Sequence, residues 1–161
     1  MGDIIKLKNM KIIIKKTDEA DKAFLIAQKL PDFFDAKGLG QIKQDTKNHI
    51  LYGAYLGKKL IGFATYKEIN LDTIEMTWLG VLPKEQRLGV GAKLVNESLN
   101  ELSSKYKICE VKTLAETDPY EPYKKTRSFY KSIGFVPGKI ISPYSEWGNN
   151  PCQVFTKIIR K

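Results

Sequence analysis

Residues that build metal centres and redox sites are scarce in this sequence. Its 161 residues include two cysteines and one histidine. Cys109 and Cys152 follow no metal-ligand or redox spacing, and two cysteines are too few for a disulfide framework. Because Cys109 lies in a strand-like apolar run, we expect a buried thiol there. His49 precedes a strand in a polar segment, which favours an ordinary surface or strand-end residue over a catalytic base. The sequence therefore predicts no metal site.

Long hydrophobic runs are also absent. No apolar stretch approaches the roughly 20 residues that a membrane-spanning helix needs, and Met1–Lys6 does not begin a secretion signal. We therefore expect a soluble, cytoplasmic chain with no membrane partner. A length of 161 residues suits one hydrophobic core, so we expect a single domain over residues 1–161.

The charge is unbalanced, with 27 lysines and arginines against 18 acids and a net charge of +9. Such a surplus admits nucleic acid, an anionic membrane or a polyphosphate ligand as a partner. The lysines are dispersed and interleaved with acids, which favours a solvated surface over a nucleic-acid patch. We therefore do not expect nucleic acid as a partner.

Hydrophobic periodicity predicts a mixed α/β (α+β) fold in the order β-α-α-β-β-β-α-β-α-β-β, with a mixed central sheet and helices on both faces. The fourth strand, the helix after it and the next strand should form a parallel crossover. Strands are predicted at Lys11–Lys15, Ile50–Leu56, Leu60–Ile69, Ile74–Leu82, Ile108–Leu114, Phe135–Ile141 and Gln153–Ile159. Helices are predicted after a cap at Thr17 or Asp18, within Asp32–Asn48 after a loop, and at Gly89–Tyr106 and Lys124–Ile133.

Two glycines follow a strand that stops at a proline. Strand Ile74–Leu82 ends at Pro83, and Gly89 and Gly91 then open a helix. A strand, a glycine turn and a helix present free backbone N–H groups to a phosphate. A dinucleotide fingerprint needs a third glycine where Leu94 stands, and the pattern G-x-x-x-x-G-K-S/T is missing. Two common phosphate-binding designs are therefore excluded.

Two longer motifs make the chain similar to the GNAT family of N-acetyltransferases. Leu79–Pro83 followed by Gln86–Ala92 resembles the family's acyl-CoA signature, L-x-V-x-P and then Q/R-x-x-G-x-G/A. Ser128–Phe135 resembles its second signature, F-Y-x-x-x-G-F. Both stand in the family's order and on the matching elements, so the resemblance covers nearly the whole chain. It implies a GNAT-like domain in which strands of the central sheet splay apart.

The resemblance implies acetyl-CoA as co-substrate. The N–H groups of Leu88 to Ala92 would hold the pyrophosphate at the positive end of the helix. Arg87 or Lys93 would add positive charge there, or else point into solvent. Backbone groups of Leu79 to Val81 would bind the pantetheine arm, and the Val81 N–H would polarise the thioester carbonyl. The residues implied to bind the coenzyme are Leu79, Gly80, Val81, Arg87, Leu88, Gly89, Val90, Gly91, Ala92, Thr126 and Tyr130.

Acetyl transfer to an amine also needs a base and an acid, because the ammonium loses a proton and the thiolate gains one. The family motif implies Tyr130 as the acid, and a core tyrosine is the alternative. Glu75 is the candidate base, since a carboxylate is costly to bury in an apolar strand. Gly89 is the fourteenth residue after it, a spacing similar to that in the histone acetyltransferase branch. A solvent-exposed role is its alternative, Glu116 is a rival base, and Asp118 is a weaker one.

The second motif departs from the family near its start. Tyr123 stands where many members carry an asparagine that contacts the coenzyme, and Thr126 replaces the usual alanine. Arg127 would meet a coenzyme phosphate or pair with an acid on the sheet. The binding of the coenzyme on this side is therefore left open.

The amine acceptor would enter, by the same resemblance, near Asp32–Asn48, Glu116–Tyr123 and Ser142–Pro151. These segments carry aromatic and acidic side chains, which suit a cationic amine, although turns also collect such residues. Neither cysteine lies in a signature, so we expect direct transfer without an acyl-enzyme. A non-catalytic acyl-CoA-binding module and a basic nucleic-acid-binding domain are the alternatives. A homodimer is compatible with the sequence, which leaves the acceptor and the oligomeric state open.

Overall fold

Seven strands and four α-helices occur in residues 11–160, the part of the chain that the computed structural model describes; the Arg87 side chain is outside that description. The strands are β1 (Ile12–Lys16), β2 (Ile50–Leu56), β3 (Lys59–Glu68), β4 (Thr73–Val81), β5 (Ile108–Leu114), β6 (Val136–Ile141) and β7 (Cys152–Ile158). The helices are α1 (Ala20–Gln28), α2 (Ala36–Asn48), α3 (Val90–Leu102) and α4 (Glu121–Ser132), with 3₁₀ helices at Pro83–Leu88 and Ser145–Trp147. The predicted order of elements is confirmed.

The strands pair in the order β1-β2-β3-β4-β5-β7-β6. β4 and β5 are parallel, whereas β5 and β6 each pair with β7 in the antiparallel sense. The parallel ladder runs from the pair Thr73 and Ile108 to the pair Met76 and Val111. Leu79–Val81 therefore lie beyond its last pair, as the predicted splay requires. None of the helices in the described residues is long and apolar enough to cross a bilayer.

The described chain divides into two compact units. The first unit comprises residues 11–66 and 78–101, and the second comprises residues 67–77 and 102–160. Apolar side chains that are fully buried form a core in each unit. In the first unit they include Ile61, Phe63, Leu94 and Val95, and in the second Ile74, Cys109 and Phe155. The single domain expected over residues 1–161 stays a prediction.

Two hydrogen bonds attach helices to strands in the first unit. The Tyr66 hydroxyl on β3 and Ser98 Oγ on α3 are 2.6 Å apart in the buried interior. The indole N–H of Trp78 on β4 donates to Asp45 Oδ2 on α2 over 2.8 Å. A buried polar group costs free energy unless it is paired, so these bonds help to fix where each helix lies on its strand.

Helix starts differ from the sequence prediction. A cap by Thr17 or Asp18 is wrong: α1 begins at Ala20, its N-cap is Glu19, and no side chain caps it. The Thr17 hydroxyl accepts the N–H of Glu19, the N-cap residue itself, over 3.3 Å and lies 2.8 Å from the hydroxyl of Tyr55. A local and a tertiary partner therefore share this hydroxyl, which reaches no N–H group inside the helix. Helix α2 is a full 13 residues long, because Asp35 accepts a hydrogen bond from the Gly38 N–H at 2.7 Å and caps it.

Candidate functional site

The predicted phosphate-binding turn lies immediately before α3, in the first unit. The 3₁₀ helix Pro83–Leu88 ends at Gly89, whose φ is 70°. This left-handed backbone is readily adopted by glycine and costly for other residues. A Cβ built at Gly89 would meet nothing within 4 Å among the described residues. The turn therefore needs glycine for its backbone angle and leaves open space beside it.

Main-chain N–H groups gather at the same place. The Lys93 N–H donates to the Gly89 carbonyl over 3.1 Å, which starts the regular bonding of α3. The N–H groups of Val90, Gly91 and Ala92 belong to the first turn, where a helix offers them no carbonyl of its own. The helix dipole adds partial positive charge there. We call the N–H groups of Leu88–Ala92 the backbone cradle, because together they suit an anion such as phosphate.

Gln86 ties the 3₁₀ helix to the end of β4. Its side-chain Nε2 donates to the Val81 carbonyl over 3.1 Å. The next residue, Leu82, donates its N–H to Ile61 on β3 over 2.9 Å. Residues along a paired strand alternate between bonding and not bonding the same neighbour, so we expect the main-chain groups of Val81 to be turned away from β3. This side-chain role of Gln86 was not predicted from the sequence.

Gly80 has a steric reason to be glycine. A Cβ at this position would lie 2.7 Å from Cε1 of Phe63 and 3.1 Å from Cδ1 of Leu30. Phe63 is fully buried, so its ring has little freedom to move. The strand end Leu79–Val81 therefore passes directly over the packed core of the first unit.

Arg87 and Lys93 are the positively charged residues predicted beside the backbone cradle, and Lys93 has an ion-pair partner on its own helix. Lys93 Nζ lies 2.8 Å from Glu97 Oε2, and both side chains are exposed. Such an i,i+4 pair is weak in water, so Lys93 remains available to a stronger anion. The Arg87 side chain lies outside the described residues.

Glu75, the candidate base, lies in the second unit and faces an ammonium group. Its Oε1 is 3.3 Å from Lys112 Nζ on β5, and the side chains are 14% and 27% exposed, respectively. The Tyr144 ring lies 5.9 Å from the same nitrogen. Burial alone would lower the pKa of Lys112, but Glu75 and Tyr144 together raise it above its usual value. The solvent-exposed alternative for Glu75 therefore does not describe its surroundings.

Lys112 was not identified from the sequence, and the strand register explains its position. Glu75 pairs directly with Glu110 in the parallel ladder. Side chains two residues apart on a strand share a face, which brings Lys112 to the same side as Glu75. A prediction of the parallel register, and not of the strands alone, would have been needed to find this contact.

Tyr130, the candidate acid, is packed in the core of the second unit. It is 5% exposed, and its ring centre lies 5.7 Å from that of Phe135 and 6.1 Å from that of Phe155. Burial, followed by the nearby Tyr123 and Cys109, raises the pKa of Tyr130. The phenol is therefore protonated throughout the neutral range, as a proton donor must be. A core role and an acid role are both compatible with this geometry.

The remaining candidates in the second unit surround the start of α4. Glu116 is exposed and, with Asp118, lines a cleft of about 370 Å³ beside α4. Thr126 is half-buried. Arg127 is 8% exposed, and its Nη1 donates to the Leu114 carbonyl over 2.8 Å. Arg127 therefore bonds the main chain of β5, a partner that neither sequence-based alternative included.

The cysteines and the histidine behave as ordinary structural residues. Both thiols are buried and free, which confirms the buried thiol predicted at Cys109. Burial raises the pKa of Cys109 to about 12 and that of Cys152 to about 11, so neither is a thiolate at neutral pH. His49 caps the end of α2 and lies 3.5 Å from Asp45 Oδ1. Within residues 11–160, no group of three or more His, Cys, Asp and Glu side chains could hold a metal ion.

Known proteins of one family resemble the chain. The family profile of the acetyltransferase (GNAT) domain matches residues 47–137. Among curated proteins, no sequence matches at a significant level.

Solved structures resemble nearly the whole chain. The ribosomal-protein-S18-alanine N-acetyltransferase from Escherichia coli matches with a TM-score of 0.74 at 18% identity, covering 94% of this chain and 96% of that one. A GNAT family acetyltransferase from Elizabethkingia anophelis with acetyl-CoA bound gives 0.70 at 17%, covering 91% and 97%. An aminoglycoside 6'-N-acetyltransferase complexed with coenzyme A gives 0.70 at 19%, covering 91% and 97%. At these identities the likeness shows the fold alone, and the predicted mixed α/β fold is confirmed.

Proposed function

The chain belongs to the GNAT family of acetyltransferases, and on that premise we propose that it transfers an acetyl group directly from acetyl-CoA to a primary amine of a small molecule or a protein. The observation that carries the proposal is the backbone cradle. A left-handed glycine, open space and the start of a 13-residue helix suit a pyrophosphate. Relatives of the same fold have coenzyme A or acetyl-CoA bound, which supports the same ligand here.

The strand end after the parallel ladder would hold the reactive part of the coenzyme. Val81 turns its main-chain groups away from β3, and Gln86 already occupies the Val81 carbonyl. Its N–H group then remains as a donor to the thioester carbonyl, where negative charge develops in the transition state. Leu79 and Gly80 would guide the pantetheine arm, and Thr126 would contact the coenzyme from α4.

The proposed chemistry moves two protons. Glu75 takes one from the acceptor ammonium, and the neutral amine attacks the thioester carbonyl. The carbon–sulfur bond then breaks, and Tyr130 gives a proton to the departing thiolate. The distance of 3.3 Å between Glu75 Oε1 and Lys112 Nζ supports the base role, because a primary ammonium fits beside this carboxylate. Glu116 is the rival base, and its exposure makes it the weaker of the two.

The proposed acceptor is the amine of either a small molecule or a protein. Among structural relatives, one is named for an aminoglycoside and another for the alanine of a ribosomal protein. Aromatic and acidic side chains in the acceptor segments suit a cationic amine of either kind. The aromatic pairs there are Phe33 with Phe34, Tyr120 with Tyr123, and Tyr144 with Trp147. A cytoplasmic location and a homodimer remain expectations from the sequence.

Release of free thiol from acetyl-CoA, measured across a panel of small amines and peptides, tests this function. We expect turnover with at least one amine, and mass spectrometry should find the acetyl group on its nitrogen. Tight acetyl-CoA binding with no turnover on any amine would favour a non-catalytic acyl-CoA-binding module. Salt-dependent binding to nucleic acid, with no effect of acetyl-CoA, would favour a nucleic-acid-binding domain.

A further inference from the structure

A lysine of the chain itself lies where the proposed base would meet its substrate. Lys112 Nζ is 3.3 Å from Glu75 Oε1, within reach of a charge-assisted hydrogen bond. The lysine is a primary ammonium on a flexible four-carbon chain, which is the chemical class of the proposed acceptor. Its side chain is 27% exposed, so part of the side chain is accessible from solvent.

The surroundings of Lys112 also distinguish it from the other paired lysines. Lys105 makes a similar contact, 3.4 Å from Glu68, but these side chains are 65% and 42% exposed. Lys112 and Glu75 are partly buried on the sheet, beside the ring of Tyr144. A partly buried pair holds a fixed geometry, whereas an exposed pair is loose and screened by salt.

We propose that Lys112 is itself an acetylation site, with Glu75 as the base and acetyl-CoA as the acetyl donor. The inference rests on the proposed function, since it uses Glu75 as the base and acetyl-CoA as the donor. Among the paired lysines, Lys112 is the one next to the proposed base.

The step balances without any further reactant. Glu75 takes one proton from the Lys112 ammonium, and Nζ forms a bond to the acetyl carbonyl carbon. The carbon–sulfur bond of the thioester breaks, the second proton goes to the thiolate, and coenzyme A leaves as the free thiol. The product is an amide nitrogen with no charge. Glu75 then releases its proton to solvent. Acetylation therefore ends the ion pair and leaves the Glu75 carboxylate to an incoming ammonium.

The test is incubation of the full chain with acetyl-CoA and no amine, followed by peptide mass spectrometry. Acetylation without catalysis favours exposed lysines, so Lys105 is the matched internal control. We expect acetyl-Lys112 to exceed acetyl-Lys105 by at least about tenfold, which is below the 10²–10⁴-fold that a positioned base supplies. In chemically denatured protein this preference should disappear.

Two variants distinguish acetylation of Lys112 that depends on Glu75 from the uncatalysed reaction of a lysine with acetyl-CoA. Glu75→Gln should reduce acetylation of Lys112 to the level of Lys105. Glu110→Gln, which changes the directly paired carboxyl residue of β5, should leave it high. Circular dichroism on both variants shows that they are folded. Equal acetylation of Lys112 and Lys105, or a Lys112 signal that persists in Glu75→Gln, would overturn the inference.

The amine panel run in parallel keeps this result apart from that of the proposed function. Glu75-dependent turnover of an added amine, without acetyl-Lys112, would reject the inference alone. Absence of turnover on every amine would count against the proposed function, and acetyl-Lys112 in that case would still support the modification.

Discussion

The two units contribute to the proposed reaction through different chemistry. In the first unit, the backbone cradle is made of main-chain N–H groups and glycine, and it needs no ionisable side chain. In the second unit, the proposed base and acid are the side chains of Glu75 and Tyr130, held by a lysine and by aromatic rings, respectively. The difference indicates that variants of the backbone cradle should change coenzyme affinity, and variants of Glu75 and Tyr130 should change turnover and the response to pH.

Removing the base is the strongest test of this contrast. Glu75→Gln keeps the size of the side chain but cannot accept the ammonium proton. We expect kcat to fall by about 10²–10⁴-fold, while the Kd for acetyl-CoA, measured by calorimetry, stays the same. Glu110→Gln is the matched control, because it changes the neighbouring carboxylate of the same ladder. Unchanged turnover in Glu75→Gln would remove Glu75 as the base and direct attention to Glu116.

Alkaline pH should weaken the second unit before the first. Burial raises the pKa of Cys109 to about 12 from a usual value of 9.0, so the folded state keeps a proton that the unfolded state releases. The stabilisation that comes from this protonated thiol is fully present below about pH 9 and is lost as the pH rises toward 12. We expect this thiol to contribute a slope of about 1.4 kcal/mol per pH unit over that range. Urea unfolding at a series of pH values measures it.

The matched variants for the pH experiment come from both units. Cys109→Ala removes the thiol and should reduce the fall that begins near pH 9, while Cys152, whose pKa burial raises to about 11, keeps its own contribution. In the first unit, burial and then Glu101 raise the pKa of Tyr52 to about 12 from 10.0, so Tyr52→Phe should act only above about pH 10. Identical pH profiles for Cys109→Ala and the unchanged protein would contradict the expectation.

Substitutions at two glycines distinguish an effect on acetyl-CoA affinity from an effect on the free energy of unfolding. Gly89 and Gly148 both have left-handed φ, 70° and 58°, and a Cβ at either would meet nothing within 4 Å in the described chain. Alanine at either site should lower the free energy of unfolding by about 1–2 kcal/mol. Only Gly89→Ala should also weaken acetyl-CoA binding, by about tenfold, because the same strain disturbs the backbone cradle. Equal loss of affinity in Gly148→Ala would argue against the assignment of the cradle.

The two units also differ in how much of each could be predicted from the sequence. The reason is that some contacts are local along the chain and others are not. The glycine turn is local: Pro83, Gly89 and the helix after it follow one another along the chain, so their pattern predicts their geometry. The environment of Glu75 is not local, because Lys112 reaches it across a parallel ladder whose register leaves no short-range signal. The contact of Thr17 with Tyr55 on another strand is also non-local, and the sequence gives no signal for it. Arg127 likewise bonds the carbonyl of Leu114, a main-chain partner that composition does not reveal.

The smallest expected effect concerns a side chain that supports the backbone cradle. Gln86→Leu removes the hydrogen bond to the Val81 carbonyl, which is worth about 1 kcal/mol. We expect acetyl-CoA affinity to fall by about fivefold, the change that this energy produces, with kcat little altered. Gln41→Leu is the control for the substitution itself, since the Gln41 side-chain amide donates to Asp45 Oδ1 on α2, away from the turn. If Gln86→Leu lowered kcat and kept its affinity, Gln86 would hold the thioester end of the coenzyme rather than its pyrophosphate. The first unit would then take part in the chemistry through Gln86 as well as through the proposed Val81 N–H group.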